Sequence, residues 1–207
     1  ETAHQLGTPV SSLMGWLKLL REEKDNDSTI LDSMEEDISQ LSEISERFSK
    51  IGSKPKLKDF SLDELISEVS VYMNNRLPLN SGINITHSGD NNIKIKGDGV
   101  LLRWAIDNLM KNAIEAIGTG NGEISVVISK SENGVQLNMC DTGKGINRSD
   151  WKNIFRPGYS SKRRGWGLGL SLTQRIVEVI HGGNIRVLSS KPGETVFRLN
   201  FPRHVRK

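Results

Sequence analysis

The 207-residue chain has a single cysteine, Cys140. That excludes an internal disulfide and any cysteine-cluster metal site, and it fits a reducing compartment. Cys140 lies in a run that reads as a strand, so it is taken as a small buried apolar residue rather than a reactive thiol. Aromatics make up 5% of the residues, and there are four histidines. Three of these, His87, His181 and His204, have no partners at metal-ligand spacing and read as structural or surface residues. No run approaches the ~18 apolar residues of a membrane span, and no signal peptide is recognisable, so no membrane contact is expected of this fragment. A large charge excess is also missing. The balance of 28 basic and 25 acidic residues gives +3, too mild to argue for nucleic acid as a partner. What is present, 35% hydrophobic and 26% charged residues, suits a soluble globular protein of one large or two small domains. The chain opens at Glu1 within what reads as a running helix, and it is expected to be a piece of a longer protein.

Leu6, Val10, Leu13, Leu17 and Leu20 recur at spacings of four and three, a coiled-coil-like seam. Lys24–Ser28 breaks it, and Asp27 or Ser28 can cap the helix that follows. The second helix carries Leu31, Met34, Ile38 and Leu41, continued by Ile44, Phe48 and Ile51, and Gly52 ends it. A helical hairpin alone has too small a core, so a second copy completing a dimeric four-helix bundle is the simplest remedy. The alternative is a hairpin packed on the rest of its own chain. His4 stands near the start, and Pro9 frees the carbonyl of Gln5 beside it, which places a bend next to the histidine.

After a linker over Ser53–Phe60 the pattern changes. Ser61-Leu-Asp-Glu64 reads as a capping box opening a helix through Leu65, Val69 and Tyr72. Short strands follow at Ile83–Thr86 and Ile93–Ile95, then a helix capped by Asp98 and running to Ile117. Two strands over Ile124–Ile128 and Val135–Met139 flank an Asn-Gly turn. A helix over Gly169–Glu178 and strands at Asn184–Leu188 and Thr195–Phe201 close the chain. The expected class is α+β, with helices on one face of a largely antiparallel sheet.

Three stretches carry chemistry. Asn108 and Asn112 share a helix face, where two amides beside leucines suggest a polar task; taken alone they are equally a solvated face. Asn112 offers a neutral oxygen suited to a magnesium already held by phosphates, and Lys111 can reach phosphate as a point charge. Asp141-Thr-Gly143-Lys-Gly145-Ile146 follows a strand directly. Its carboxylate can accept the exocyclic amine of adenine, and its glycines allow close backbone approach, although an Asp-Gly turn alone would be unremarkable. Gly165-Trp-Gly167-Leu168-Gly169 leads into a helix, where exposed amides and the helix dipole favour phosphate. The pattern lacks both the strand-loop order of a dinucleotide fingerprint and the Lys-Ser/Thr ending of a P-loop. Between these stretches, residues 148–164 form a long basic segment with Phe155 as its aromatic anchor and Lys162 in its basic run, which reads as a lid over the nucleotide.

In this order and spacing the motifs resemble the catalytic core of sensor histidine kinases of two-component systems. Asn108–Ala113 looks like the N box, Asp141–Ile146 like the first glycine box, Phe155 like the F box, Gly165–Leu170 like the second glycine box, and His4–Pro9 like the H box. The resemblance implies a dimerisation and histidine-phosphotransfer domain over 1–53. It implies a catalytic ATP-binding domain over 54–207, an α/β sandwich of the gyrase, chaperone and histidine-kinase type. It further implies Mg²⁺ on Asn112, phosphates at Asn108 and Lys111, adenine at Asp141, and lid and loop geometry permitted by Gly143, Gly145, Gly167 and Gly169, with Ile146, Phe155, Lys162, Gly165 and Leu168 completing the ATP site. The implied activity is ATP-dependent phosphorylation of His4 and relay to an aspartate on a response-regulator receiver domain, in a cytoplasmic homodimer joined through the N-terminal helices.

Two positions depart from related patterns. The ATP-hydrolysing relatives carry a glutamate one turn before the metal-binding Asn, whereas Asn108 here cannot act as a general base, which favours transfer to a protein group over hydrolysis. Many histidine kinases place an acidic residue straight after the histidine. Gln5 can fix the imidazole tautomer but cannot take a proton, so retained but slow autophosphorylation is expected. Thr8, one turn from His4, matches a position that in the family helps remove phosphate from the regulator. A kinase-deficient or phosphatase-biased ATP-binding scaffold dimer is the alternative reading.

Overall fold

The computed structural model describes residues 13–15, 17, 18, 20, 21, 32, 34, 38, 39, 41 and 42 of the N-terminal part, and 55–78, 81–90, 92–160 and 167–202 beyond it. The chain divides into two compact units, Glu1–Pro55 and Lys56–Lys207.

In the first unit the described residues from 13 to 21 and from 32 to 42 are helical. Leu17 and Ile38 are buried against each other, Leu41 packs on them, and Arg21 pairs with Asp32. Two sequence-distant helical segments therefore share one apolar contact. Three further described members of the apolar seams behave differently: Leu13, Leu20 and Met34 are 46%, 40% and 40% exposed.

The second unit starts with strand β1 (Lys58–Ser61), which pairs antiparallel with β3 (Lys94–Gly97) in a small two-stranded sheet. The sequence reads this stretch as linker. Four residues with two of them charged carry no periodic signal, and the strand forms because β3 supplies its ladder. Helix α1 (Leu62–Arg76) begins where Ser61 Oγ accepts the Glu64 N–H. Helix α2 (Gly99–Ile117) begins where Asp98 Oδ1 accepts the N–H groups of Val100 and Leu101, each at 3.2 Å. Its buried stripe is Leu101, Leu102, Ala105, Ile106, Leu109, Met110 and Ala113, a spacing of three and four that matches one helix face.

The main sheet has the order β2-β4-β5-β7-β6, with β2 (Ile83–Gly89), β4 (Gly122–Ser131), β5 (Gly134–Asp141), β6 (Asn184–Lys191) and β7 (Glu194–Pro202). Only the β2–β4 edge is parallel; the other pairings are antiparallel. Ile124, Val126 and Ile128 on β4, Val135, Leu137 and Met139 on β5, and Phe197, Leu199 and Phe201 on β7 are buried, while the alternate residues are not. That period of two gives the sheet one apolar face for the helices to cover, so the class is α+β.

The last helical segment departs from the regular helix expected. It is α-helical over Gly169–Gln174, here α3, and then continues as a π-helix over Arg175–Ile180.

Candidate active site

Helix α2 is the platform. Beside its buried stripe, Asn108, Asn112 and Ala116 follow one another at four-residue intervals. Gly169, the first residue of α3, lies directly against the Asn108 amide, and a Cβ there would overlap its Oδ1. At the other end, a Cβ on Gly143 would come within 2.6 Å of Ala116 Cβ. Each glycine stretch therefore meets the same α2 row, one at position 108 and the other at 116, and Asn112 stands midway between them. Lys144 N–H donates to the Ala116 carbonyl at 3.0 Å and fastens the first loop to the helix end.

Asp141 ends β5 and is only 4% exposed. Its Oδ1 accepts the Gly143 N–H at 2.9 Å. Burial pushes its carboxyl above the usual range, while the Gly143 donor pulls it back. Gly145 has φ +82 and backs onto Lys191 and Pro192, so the loop needs glycine for conformation and clearance alike. Gly193 N–H donates to the Gly143 carbonyl at 2.8 Å, and Ile146 N–H donates to Ser190 Oγ at 2.8 Å. The loop is thus held on both sides, by α2 and by the β6–β7 turn.

The segment after it begins in two 3₁₀ turns, Arg148–Asp150 and Asn153–Phe155. Trp151 Nε1–H donates to the Ile146 carbonyl at 3.2 Å, and Phe155 meets Phe197 edge-on with ring centres 6.4 Å apart. Gly158 N–H donates to the Gly167 carbonyl at 3.0 Å. The Leu168 carbonyl accepts both the Leu172 N–H and Ser171 Oγ–H, which starts α3.

Lys111 is exposed, and its Nζ lies 3.3 Å from Asp107 Oδ2. Asn108 Nδ2–H donates to Thr173 Oγ1 at 3.0 Å. Sequence reasoning passes over both partners. Asp107 could have been read from its spacing of four to Lys111, but nothing local marks Thr173. His4, Gln5, Thr8, Lys162 and Gly165 lie outside the described residues.

His181, read from the sequence as structural or surface, is 1% exposed. Its Nδ1–H donates to the Ile176 carbonyl at 2.8 Å, and Nε2 accepts the Asp98 N–H at 3.0 Å. That pairing fixes the neutral tautomer, and burial holds its pKa below the ordinary histidine value. The ring thereby holds the residue that caps α2.

Comparison with known proteins agrees with this geometry. Residues 97–205 match the family described as histidine kinase-, DNA gyrase B-, and HSP90-like ATPase, and residues 1–54 match the His Kinase A (phospho-acceptor) domain. Sporulation kinase A of Bacillus subtilis (strain 168) is 30% identical over 205 residues, covering 97% of this chain and 33% of that protein. The chain spans a third to just under half of the length of such curated relatives. The catalytic domain of histidine kinase ThkA, in a nucleotide-free form, superposes with a TM-score of 0.66 at 30% identity, over 72% of this chain and 97% of that one. ThkA in complex with the response regulator protein TrrA gives 0.70 at 25% identity, over 98% and 60%. With an ATPase-family domain over more than half its length and a phospho-acceptor domain before it, this chain belongs to the sensor histidine kinases of two-component systems.

Proposed function

We propose that the chain is an ATP-dependent protein-histidine kinase that phosphorylates its own His4 and passes the phosphoryl group to an aspartate of a response-regulator receiver domain. The observation that carries this reading is the α2 row on which both glycine stretches converge, with Asn112 between them. Adenine is assigned to the buried Asp141 carboxylate, which accepts its exocyclic amine. Phosphates are assigned to the side of Asn108 and Lys111, with Lys162 on the lid, Gly165, Gly167, Leu168 and Gly169 in the second glycine stretch, and Ile146 and Phe155 completing the site.

The donor set fits magnesium in one particular way. No cluster of three or more His, Cys, Asp or Glu residues suitable for a metal occurs among the described residues. Asn112 supplies a neutral oxygen, so magnesium would sit there only with phosphate oxygens as co-ligands. Bound in that way, the ion supplies neutralisation of phosphate charge. Asn108 can hold a donor but cannot take a proton from water, so the site is not built to hydrolyse ATP as its main reaction.

In the proposed transfer, His4 Nε2 attacks the γ-phosphorus, the Nε2–P bond forms, and the bond to the bridging oxygen of the leaving diphosphate breaks. A Gln5 amide oxygen that accepted Nδ1–H would keep Nε2 as the nucleophile. Dimerisation is assigned to the N-terminal helices, where Leu13, Leu20 and Met34 present an apolar face that a second copy would cover. Among the described residues no helix is long and apolar enough to cross a membrane.

The test is incubation with γ-labelled ATP and Mg²⁺, comparing the chain with His4→Ala. Acid-labile, alkali-stable label that disappears in the variant is expected. Absence of label while ATP still binds would replace this reading with the phosphatase-biased or kinase-deficient scaffold.

A further inference from the structure

We infer that Thr173 is a positioning residue for Asn108: its hydroxyl fixes the amide of the nucleotide-facing helix row and couples the second glycine stretch to α2. The inference rests on the reading of that row as the ATP site.

Thr173 is 1% exposed, one of only a few polar side chains buried to that degree among the described residues. Its Oγ1 accepts the Asn108 Nδ2–H at 3.0 Å. Gly169, one turn earlier on α3, closes against the same amide. Asn108 is therefore held between two α3 residues four apart, one leaving it room and the other binding its nitrogen. An Asn side chain has a donor end and an acceptor end. With one Nδ2–H on Thr173, the amide keeps its second N–H and Oδ1. Position 108 thus still offers a donor and an acceptor at the base of α3. A valine of the same shape at 173 would leave the amide free to turn and would remove the polar link between α3 and Asn108.

The π-helix gives this contact its setting. Thr173 and His181 lie eight residues apart, which in a continuous α-helix would turn their side chains about 80° from each other. The wider turn of the π segment takes up part of that rotation. Both side chains reach α2, Thr173 at Asn108 and His181 at the Asp98 N–H. The segment following the second glycine stretch grips the nucleotide helix at its cap and again at its first amide. A displacement of the glycine stretch would be felt at Asn108 through Thr173.

The test compares Thr173→Val, Thr173→Ser and the parent chain, each also with Asn108→Ala. In the nucleotide-free protein, the Asn108 side-chain NH₂ pair in a ¹⁵N spectrum should be resolved and exchange-protected in the parent and in Thr173→Ser, and should lose protection in Thr173→Val. In autophosphorylation, Thr173→Val should lower kcat by roughly tenfold, the effect of one lost hydrogen bond, with KM for ATP nearly unchanged. Thr173→Ser should restore most of the rate, and Thr173→Val should add nothing once Asn108 is Ala. A protected Asn108 signal in Thr173→Val, or the same loss of kcat in the Asn108→Ala background, would overturn the inference. A parent chain that takes no label would instead count against the proposed function, while the spectrum still decides the Thr173–Asn108 link.

Discussion

Asp141 carries two demands that conflict. It is 4% exposed, and burial raises its carboxyl pKa above the ordinary value, with one backbone donor, from Gly143, in opposition. A carboxyl whose pKa is higher in the fold than in the unfolded chain stabilises only when protonated. Its contribution is complete below the unfolded value of about 3.9 and is lost as pH rises through the folded value, so at pH 7 the charge works against folding. Asp141→Asn keeps an oxygen for the Gly143 N–H and removes that charge. The variant is expected to melt at a higher temperature than the parent at pH 7 in calorimetry. The same change weakens the acceptor proposed for adenine from charged to neutral, a difference of roughly 1–2 kcal/mol, so ATP affinity should fall about five- to thirtyfold in titration. A lower melting temperature would mean that the carboxylate is stabilised by its surroundings and that the burial argument has the wrong sign.

At the level of elements, the regular pieces were legible and the couplings between them were not. Helix α2 announces itself through the Asp98 cap and a stripe of spacing three and four, and the β4–β5 hairpin through alternation around Asn133-Gly134. The glycine and amide motifs are local as well, which is why the candidate site could be placed from the sequence. The π-helix left no such trace: the buried residues of its helical segment, 172, 173, 176, 177, 180 and 181, repeat the pattern of the regular helix α2, so nothing in the apolar spacing tells the two apart. Thr173 and His181 find partners 65 and 83 residues away, a separation no local pattern encodes. His181 also sets a pH dependence. Its folded pKa lies below the unfolded value of about 6.5, so its share of stability is complete above that pH and is lost as pH falls from there toward the folded value. Protonation at Nε2 would also remove the acceptor for the Asp98 N–H. The melting temperature is expected to fall between pH 7 and 5. His181→Phe should be less stable at pH 7 by about 1–3 kcal/mol, for two unpaired backbone groups, but should show a smaller fall over that window. Parallel melting curves for the parent and the variant would refute the assignment.

For the molecule as a whole, the two units make different kinds of core. The second buries a continuous apolar layer drawn from α1, α2, the π-helix and the main sheet. In the first, the described buried apolar residues are Leu17 and Ile38, with Leu41 packed on them and Leu13, Leu20 and Met34 exposed. Residues 56–207 are therefore expected to fold alone in one cooperative transition. If the nucleotide is held on the α2 row, that fragment contains the whole ATP site. ATP at about a hundred times its Kd would then stabilise it by about 2.7 kcal/mol and raise the melting midpoint by roughly 5–10 °C. Phosphotransfer should respond in the opposite way. The proposed acceptor, His4, belongs to the other unit, and a chain linking donor and acceptor supplies an effective concentration in the millimolar range. With fragment 56–207 and the His4-bearing unit mixed as separate micromolar chains, label on His4 should appear about a thousandfold more slowly than in the intact chain, although ATP binding is unchanged. If ATP leaves the fragment's midpoint where it was, the nucleotide site is not complete within residues 56–207, and the α2 row alone does not hold it.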